Sequence, residues 1–158
     1  MSINNNRNFN NNGGNNRSRH FNNQQNDADE VFFTPNPTQR AVAILIPSQN
    51  GILSVSRPFK ADKIGLPGGK CEKNEHFRHA AKRELKEETG IDLPLDRFEP
   101  VFLSQCGRFE VMTYYIKYDG FEIPGLNKSC EPGINVRWAS KAELVEGPFG
   151  AYNAELFA

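Results

Sequence analysis

"GKCEKNEHFRHAAKRELKEETGI", residues Gly69 to Ile91, decides how this chain is read. Its last third gathers Glu84, Glu87 and Glu88 within five positions. Carboxylates at i,i+3 and i,i+4 meet on a helix surface and repel. A helix is nonetheless expected: Asn74 offers an N-cap, Glu75–Thr89 carries the helical period, and Gly90 stands where a left-handed C-cap belongs. On a wheel of about 100° per residue, Phe77, Ala80, Ala81 and Leu85 share one arc. Lys82 and Lys86 fall opposite, with Glu75 and His79, and Arg78 marks the boundary. With Glu84 as zero, Phe77 lies at about +20°, Glu88 at about +40° and Ala81 at about +60°. Glu84 and Glu88 therefore sit inside the apolar arc, and Glu87 lies on its shoulder next to Arg83.

A charge run is usually a solvated face. That would place the glutamates among Lys82 and Lys86, which the sequence does not do. Carboxylates aimed at a core are costly unless something positive joins them. Arg83 can partner only some of them. A hard divalent cation fits better: Mg²⁺ takes oxygen ligands, keeps several waters and accepts phosphate oxygens. The wheel alone leaves a second reading open, in which the helix end sets these residues at a rim.

The same residues carry a resemblance. The Nudix hydrolase box is G-x5-E-x7-R-E-U-x-E-E-x-G-U, with U aliphatic. Here Gly69 is followed by five residues and Glu75, then by seven residues and Arg83-Glu84-Leu85-Lys86-Glu87-Glu88-Thr89-Gly90-Ile91. Every fixed position matches, and Leu66-Pro67-Gly68-Gly69 with Glu72 resembles the usual lead-in. Ile64 stands where many members have Trp, a change of packing rather than chemistry. The resemblance runs from about residue 38 to the end. It implies an α/β/α sandwich with a mixed β-sheet, and a hydrolase of nucleoside diphosphate-X compounds using Mg²⁺ or Mn²⁺. Carried over by position, Glu84, Glu87 and Glu88 are the expected metal ligands, with the Gly69 carbonyl as a further one. One of these glutamates, or a carboxylate from a later loop, is the expected base. Glu110, Glu122 and Glu131 are the later candidates, and Glu131, in a loop entering a strand, is the one favoured. Glu75 and Arg83 are expected to pair and hold loop and helix in register. Members of the family are often homodimers.

Organisation around the box agrees with a mixed α/β domain. Arg40–Ile46 reads as a buried strand, and Asn50-Gly51 as a hairpin turn that returns Ile52–Arg57 as its partner. Lys63–Lys70 reads as a Gly/Pro-rich loop in which Pro67 restricts the chain and Gly68 and Gly69 let it approach the site. Glu99–Cys106, Glu110–Tyr118 and Ile134–Ser140 are strand-like, Ser140 caps a short helix, and Ala151–Ala158 is helical. Residues 1–29 form a separate Asn-rich tail, expected to be disordered, and 30–158 the folded domain. Through residue 27 the tail carries Arg7, Arg17 and Arg19 against Asp27, a net of +2, so the remainder nets −2. Phe9 and Phe21 are available to stack on RNA bases, yet three arginines neutralise few phosphates.

The 158 residues give one domain with a real core, and the formal net charge of zero points to neither nucleic acid nor membrane. No apolar run spans a bilayer and no signal-peptide pattern opens the chain, so a soluble cytoplasmic protein is expected. Cys71, Cys106 and Cys130 are odd in number and widely spaced, and read as reduced thiols. His76 and His79 lack a second ligand pair at zinc spacing. There is no nucleophile elbow and no Walker A loop. Trp138, Tyr114, Tyr115, Phe102 and Phe109 could stack a base, but they lie on strands, where aromatics more often belong to the core. Within the family, the Pro of the ADP-ribose group is absent near Cys106-Gly107, and the Tyr of the dinucleoside polyphosphate group is absent near Arg108-Phe109. The lean is to nucleoside triphosphates or other small nucleotides. Two alternatives are an RNA cap or 5′-end hydrolase and a non-catalytic nucleotide sensor.

Overall fold

Val, Ile, Phe and Tyr concentrate in two stretches that end up side by side. In the computed structural model, which describes residues 39–128 and 131–158 and the backbone of Arg19–His20, these stretches form one mixed sheet. β1 (Arg19–His20) pairs antiparallel with β7 (Glu99–Cys106), β7 with β8 (Phe109–Tyr115), and β8 runs parallel to β2 (Gln39–Leu45). β6 (Gly68–Lys70) closes the far edge against β2. A second sheet is antiparallel: β4 (Gly51–Arg57) carries β3 (Pro47–Ser48) and β5 (Lys60–Gly65) on one edge and β9 (Val136–Ala139) on the other.

The pleat of β2 sorts its side chains between two helices. Val42 and Ile44 face α1 (Phe77–Thr89), joining Phe77, Ala80, Ala81 and Leu85 in the main core. Ala41, Ala43 and Leu45 face the other way, toward Tyr152 and Leu156 of α3 (Gly150–Leu156). Helix, mixed sheet and helix are thus layered as the sequence predicts. The short α2 (Lys141–Glu146) seals the second sheet by burying Leu144 against Ile52, Ile64 and Ala139. Its Ser140 cap is a full capping box, closed by Glu143. Ile64 is buried there, a packing role.

Several expectations need correction. Ile52–Arg57 is not the partner of Arg40–Ile46. The hairpin exists, but its two-residue loop is Gln49-Asn50, its first strand is only β3, and the chain changes sheets at Ile46. Lys63–Lys70 is mostly strand, in β5 and β6, rather than loop. The helix starts two residues late, at Phe77, with His76 and not Asn74 at the cap. Asn74 instead takes a positive φ of 61°, and Glu75 makes a turn of its own onto Glu72. The far end is as predicted: Gly90 is left-handed at φ 77° and donates to the Lys86 carbonyl. The tail, Cys130 and the start of the folded domain at residue 30 lie outside the described residues, apart from the short β1. Cys71 and Cys106 are free thiols. Among the described residues no helix is long and apolar enough to cross a membrane.

Candidate active site

Two backbones meet where β6 passes under the last two turns of α1. Glu88 is buried, 7% exposed, and its Oε1 accepts the Gly68 N–H at 2.7 Å. Glu84 lies over Gly69 so closely that a Cβ there would stand 2.4 Å from the carboxyl carbon. A side chain at residue 69 would have to displace that carboxylate, which explains why the sequence supplies glycine. Gly68 is equally constrained, since its Cβ would fall 2.1 Å from the Val42 carbonyl oxygen of the paired strand. The wheel is therefore right about Glu84 and Glu88. Glu87 stands further out, with its side chain 45% exposed.

Arg83 ties this group together. Its Nε and Nη2 fork onto Glu75, both at 2.9 Å, and Nη2 also donates to the Lys70 carbonyl. Nη1 donates to Glu84 at 2.9 Å and to Glu87 at 3.3 Å. Glu75 also accepts from the Glu72 N–H, and its carbonyl receives Arg40. The expected Glu75–Arg83 pair is present, but Glu75 is not on the water side. It precedes the helix, so the wheel does not apply to it.

The electrostatics follow from burial and from that single guanidinium. Burial pushes the Glu88 carboxyl up to about 8, opposed by the Gly68 N–H and reinforced by Glu84, Glu131 and Glu87. Burial also raises Glu84, with Arg83 pulling the other way and Glu87 and Glu131 adding to the rise. The Arg83 hydrogen bond holds Glu75 below the usual carboxylate range. Of the later carboxylates, Glu131 is thus felt at both buried glutamates. Glu110 lies on β8 opposite Arg40, and Glu122 is exposed. Among the described residues no three carboxylate, imidazole or thiol groups converge into a ready metal cage. His76 and His79 are exposed, 6.1 Å apart between ring centres.

Two hollows border β6, and only the smaller is lined by a glutamate. One, of about 150 Å³, lies among Glu88, Gly68, Arg57, Pro58, Ile134 and Phe149. The other, of about 300 Å³, opens between β2, β6, β8 and α3. They share Arg57, Leu66, Gly68 and Phe149, and the Arg57 guanidinium sits 5.7 Å over the Phe149 ring. Phe102 and Tyr114 are core, as expected, but Phe109 lines the larger hollow with the Lys70 ammonium 5.4 Å from its ring. Sequence reading missed Arg57, Lys70, Phe149 and Asn153. Asn153 left a signal: it recurs with Leu156 and Phe157 on the apolar side of a helix. It is 1% exposed and donates to the Leu144 carbonyl.

The NUDIX domain family matches residues 37–158. Over 60 residues the chain is 40% identical to CTP pyrophosphohydrolase of Escherichia coli (strain K12), covering 36% of this chain and 44% of that protein. Over 56 residues it is 39% identical to 8-oxo-dGTP diphosphatase of Proteus vulgaris, covering 34% of this chain and 50% of that one. The chain spans about half the length of these curated relatives. A solved NUDIX hydrolase from Nitrosomonas europaea shares the fold, with a TM-score of 0.53 and 21% identity over 75% of this chain and 87% of that one. Because the family match takes in the glycine strand, the glutamate helix and the cavity walls together, this chain belongs to the NUDIX family.

Proposed function

We propose that this chain hydrolyses the pyrophosphate linkage of a nucleoside diphosphate derivative, with a nucleoside triphosphate or other small nucleotide as substrate and Mg²⁺ or Mn²⁺ as cofactor. The observation that carries the reading is Glu88, buried beside Glu84 against β6 and lining a hollow that shares Arg57, Leu66, Gly68 and Phe149 with a larger apolar cavity. The names of the two relatives, CTP pyrophosphohydrolase and 8-oxo-dGTP diphosphatase, point to the same substrate class.

The donor set fits a hard divalent cation. Glu84 and Glu88 are both raised by burial and by repulsion from neighbouring carboxylates, while the neighbouring guanidinium is largely committed to Glu75. An additional positive charge relieves that repulsion. A hard divalent cation takes few protein carboxylates and lets water and phosphate oxygens complete its shell. Glu84, Glu87 and Glu88 would hold the ion, with the Gly69 carbonyl as a further oxygen. When bound, it neutralises phosphate charge and lowers the pKa of a coordinated water.

The protein's own groups do the rest. Arg83 fixes the helix to the Gly69–Glu75 loop, so the carboxylates keep their spacing. A carboxylate of the group, from α1 or from Glu131, takes the proton of the attacking water. The larger cavity holds the base against apolar walls and Phe109, and Arg57 meets the anionic chain as it passes toward Glu88. The test is product release from a panel of dNTPs and oxidised dNTPs, ADP-ribose, NADH, dinucleoside polyphosphates and capped RNA, with Mg²⁺ or Mn²⁺. Hydrolysis of a nucleoside triphosphate that disappears in Glu87→Gln and Glu88→Gln is expected. Equal rates in wild type and both variants on every substrate would overturn it.

A further inference from the structure

Phe59 is anomalous on two counts. It is 85% exposed, the most exposed large apolar side chain among the described residues, and it holds a positive φ of 58°. A residue with a Cβ is strained in the left-handed region, and an apolar ring in water gains nothing. Pro58 leads a two-residue tip, and such a turn calls for a positive φ at its second residue, so the turn accounts for the backbone of Phe59 but not for its exposed ring.

The exposed ring has a contact to match it. The Phe59 N–H donates to the Gly133 carbonyl at 3.1 Å. Its ring lies on Gly133, where an added Cβ would stand 3.0 Å from Cε1 and 3.1 Å from Cδ1. Gly133 is itself left-handed, at φ 79°. Two more bonds continue the seam: Ser56 N–H to the Asn135 carbonyl, and Asn135 N–H to the Ser56 hydroxyl, each at 2.9 Å. The chain from 133 to 135 is thus zipped to the β4–β5 hairpin beyond the end of β9. Glu131 begins the turn that this seam holds, since its carbonyl accepts the Ile134 N–H. Across the smaller hollow, Ile134 and the hairpin residues Arg57 and Pro58 form walls that face Glu88.

We propose that the β4–β5 hairpin tip is a latch: Phe59, seated on Gly133, fixes the 131–134 turn and so sets where Glu131 stands relative to Glu84 and Glu88. Phe59 and Gly133 are then positioning residues that act through Glu131. The influence of Glu131 at both buried glutamates agrees with that placement. The inference rests on the reading of Glu131 as part of the acidic group.

The experiment measures Mn²⁺ affinity of the full chain by calorimetry without nucleotide, and hydrolysis rate beside it. The variants are Glu131→Gln, Gly133→Ala, their double, and Gly133→Ala with Phe59→Gly. Gly133→Ala is expected to weaken Mn²⁺ binding and slow hydrolysis by roughly tenfold or more, as loss of a ligand-orienting contact does. Added to Glu131→Gln it is expected to cost nothing further, because both changes act through one carboxylate. Removing the ring with Phe59→Gly, which tolerates the positive φ, is expected to restore only the part of the loss that the ring causes, because alanine at φ 79° stays strained and the Phe59 backbone nitrogen remains beside it. A melting temperature within a few degrees of wild type marks the variants as folded.

Wild-type Mn²⁺ affinity in Gly133→Ala overturns the latch, as do losses that add in the double variant. If Glu131→Gln alone is without effect, the latch falls with the carboxylate it was meant to place. If no nucleotide is hydrolysed but the Mn²⁺ pattern holds, the latch stands and the catalytic reading fails.

Discussion

Replacing Glu88 by Gln should make the protein more stable at alkaline pH while abolishing its activity. The amide keeps an oxygen for the Gly68 N–H, 2.7 Å away, and removes a charge buried beside Glu84. Burial pushes the folded carboxyl up to about 8, against about 4.5 for an ordinary glutamate in the unfolded chain. The sign is fixed by that order. A carboxyl whose folded pKa is raised leaves stability intact below its unfolded value and drains it as pH rises, until the folded pKa is passed. Each pH unit in that window costs about 1.4 kcal/mol, so roughly 3 kcal/mol should separate wild type at pH 8 from wild type at pH 5 through this group alone.

Comparing wild type with Glu88→Gln at each pH cancels the other titrating groups, including Glu75, whose depressed pKa acts in the opposite direction. For a domain of this size 3 kcal/mol corresponds to roughly 10 °C in melting temperature. The assay is thermal unfolding in EDTA at pH 5, 6.5 and 8. The two proteins should melt nearly together at pH 5, and the variant should lead by about 10 °C at pH 8. Saturating Mn²⁺ should lift wild type at pH 8 and leave the variant nearly unmoved. Parallel melting curves across the pH range would refute the claim that Glu88 is a buried, uncompensated charge.

Gly69→Ala should force the Glu84 carboxyl aside, since the new Cβ would stand 2.4 Å from its carbon; hydrolysis should fall by roughly tenfold to a hundredfold while the fold persists by circular dichroism. Arg83→Lys should lose the fork onto Glu75 and the reach to Lys70, lowering stability in urea by about 1–3 kcal/mol because a point charge cannot replace a planar one. Arg57→Ala should raise KM for nucleotide about tenfold with little change in kcat, as expected for a charged contact made equally in ground and transition states. Burial pushes the Cys71 thiol up to about 11, so iodoacetamide at pH 8 should modify it slowly in the native protein and rapidly in urea, read by mass spectrometry.

The glutamate helix was legible because its information is local. Its 3.6-residue period, Gly90 cap and inward carboxylates are set by neighbours within a few turns, and Phe77, Ala81, Leu85 and Glu88 are buried where the wheel places them. The capping box at Ser140 is legible for the same reason. What failed was non-local. A hairpin signal at Asn50 says that the chain reverses, not that the strand before it has already left the first sheet at Ile46, so that only β3 forms the first arm. Gly68 and Gly69 look like a loop, but they are glycines because β2 and Glu84 leave no room, and a strand satisfies that as well. Asn74 lost the cap because Glu75, held by Arg83 eight residues on, turns away from the helix before it starts. Phe109 reads toward the core rather than toward a base, since a cavity wall and a core have the same composition until the fold separates them.

The repulsion written into the sequence is resolved unevenly, and the unevenness is informative. Arg83 has five N–H donors. They go to Glu75, the Lys70 carbonyl, Glu84 and Glu87. Glu88, the most buried of the three helix glutamates, receives only a backbone N–H, which carries no net charge. A chain selected for stability alone would place an apolar residue at that position or turn the guanidinium toward it. Instead the Arg83 guanidinium holds a loop to a helix, and burial keeps the deepest carboxyl raised to about 8 until another positive charge arrives. That arrangement costs stability in the resting fold and lends affinity to whatever cation relieves it, which is the combination expected of a binding site rather than of a structural ion pair.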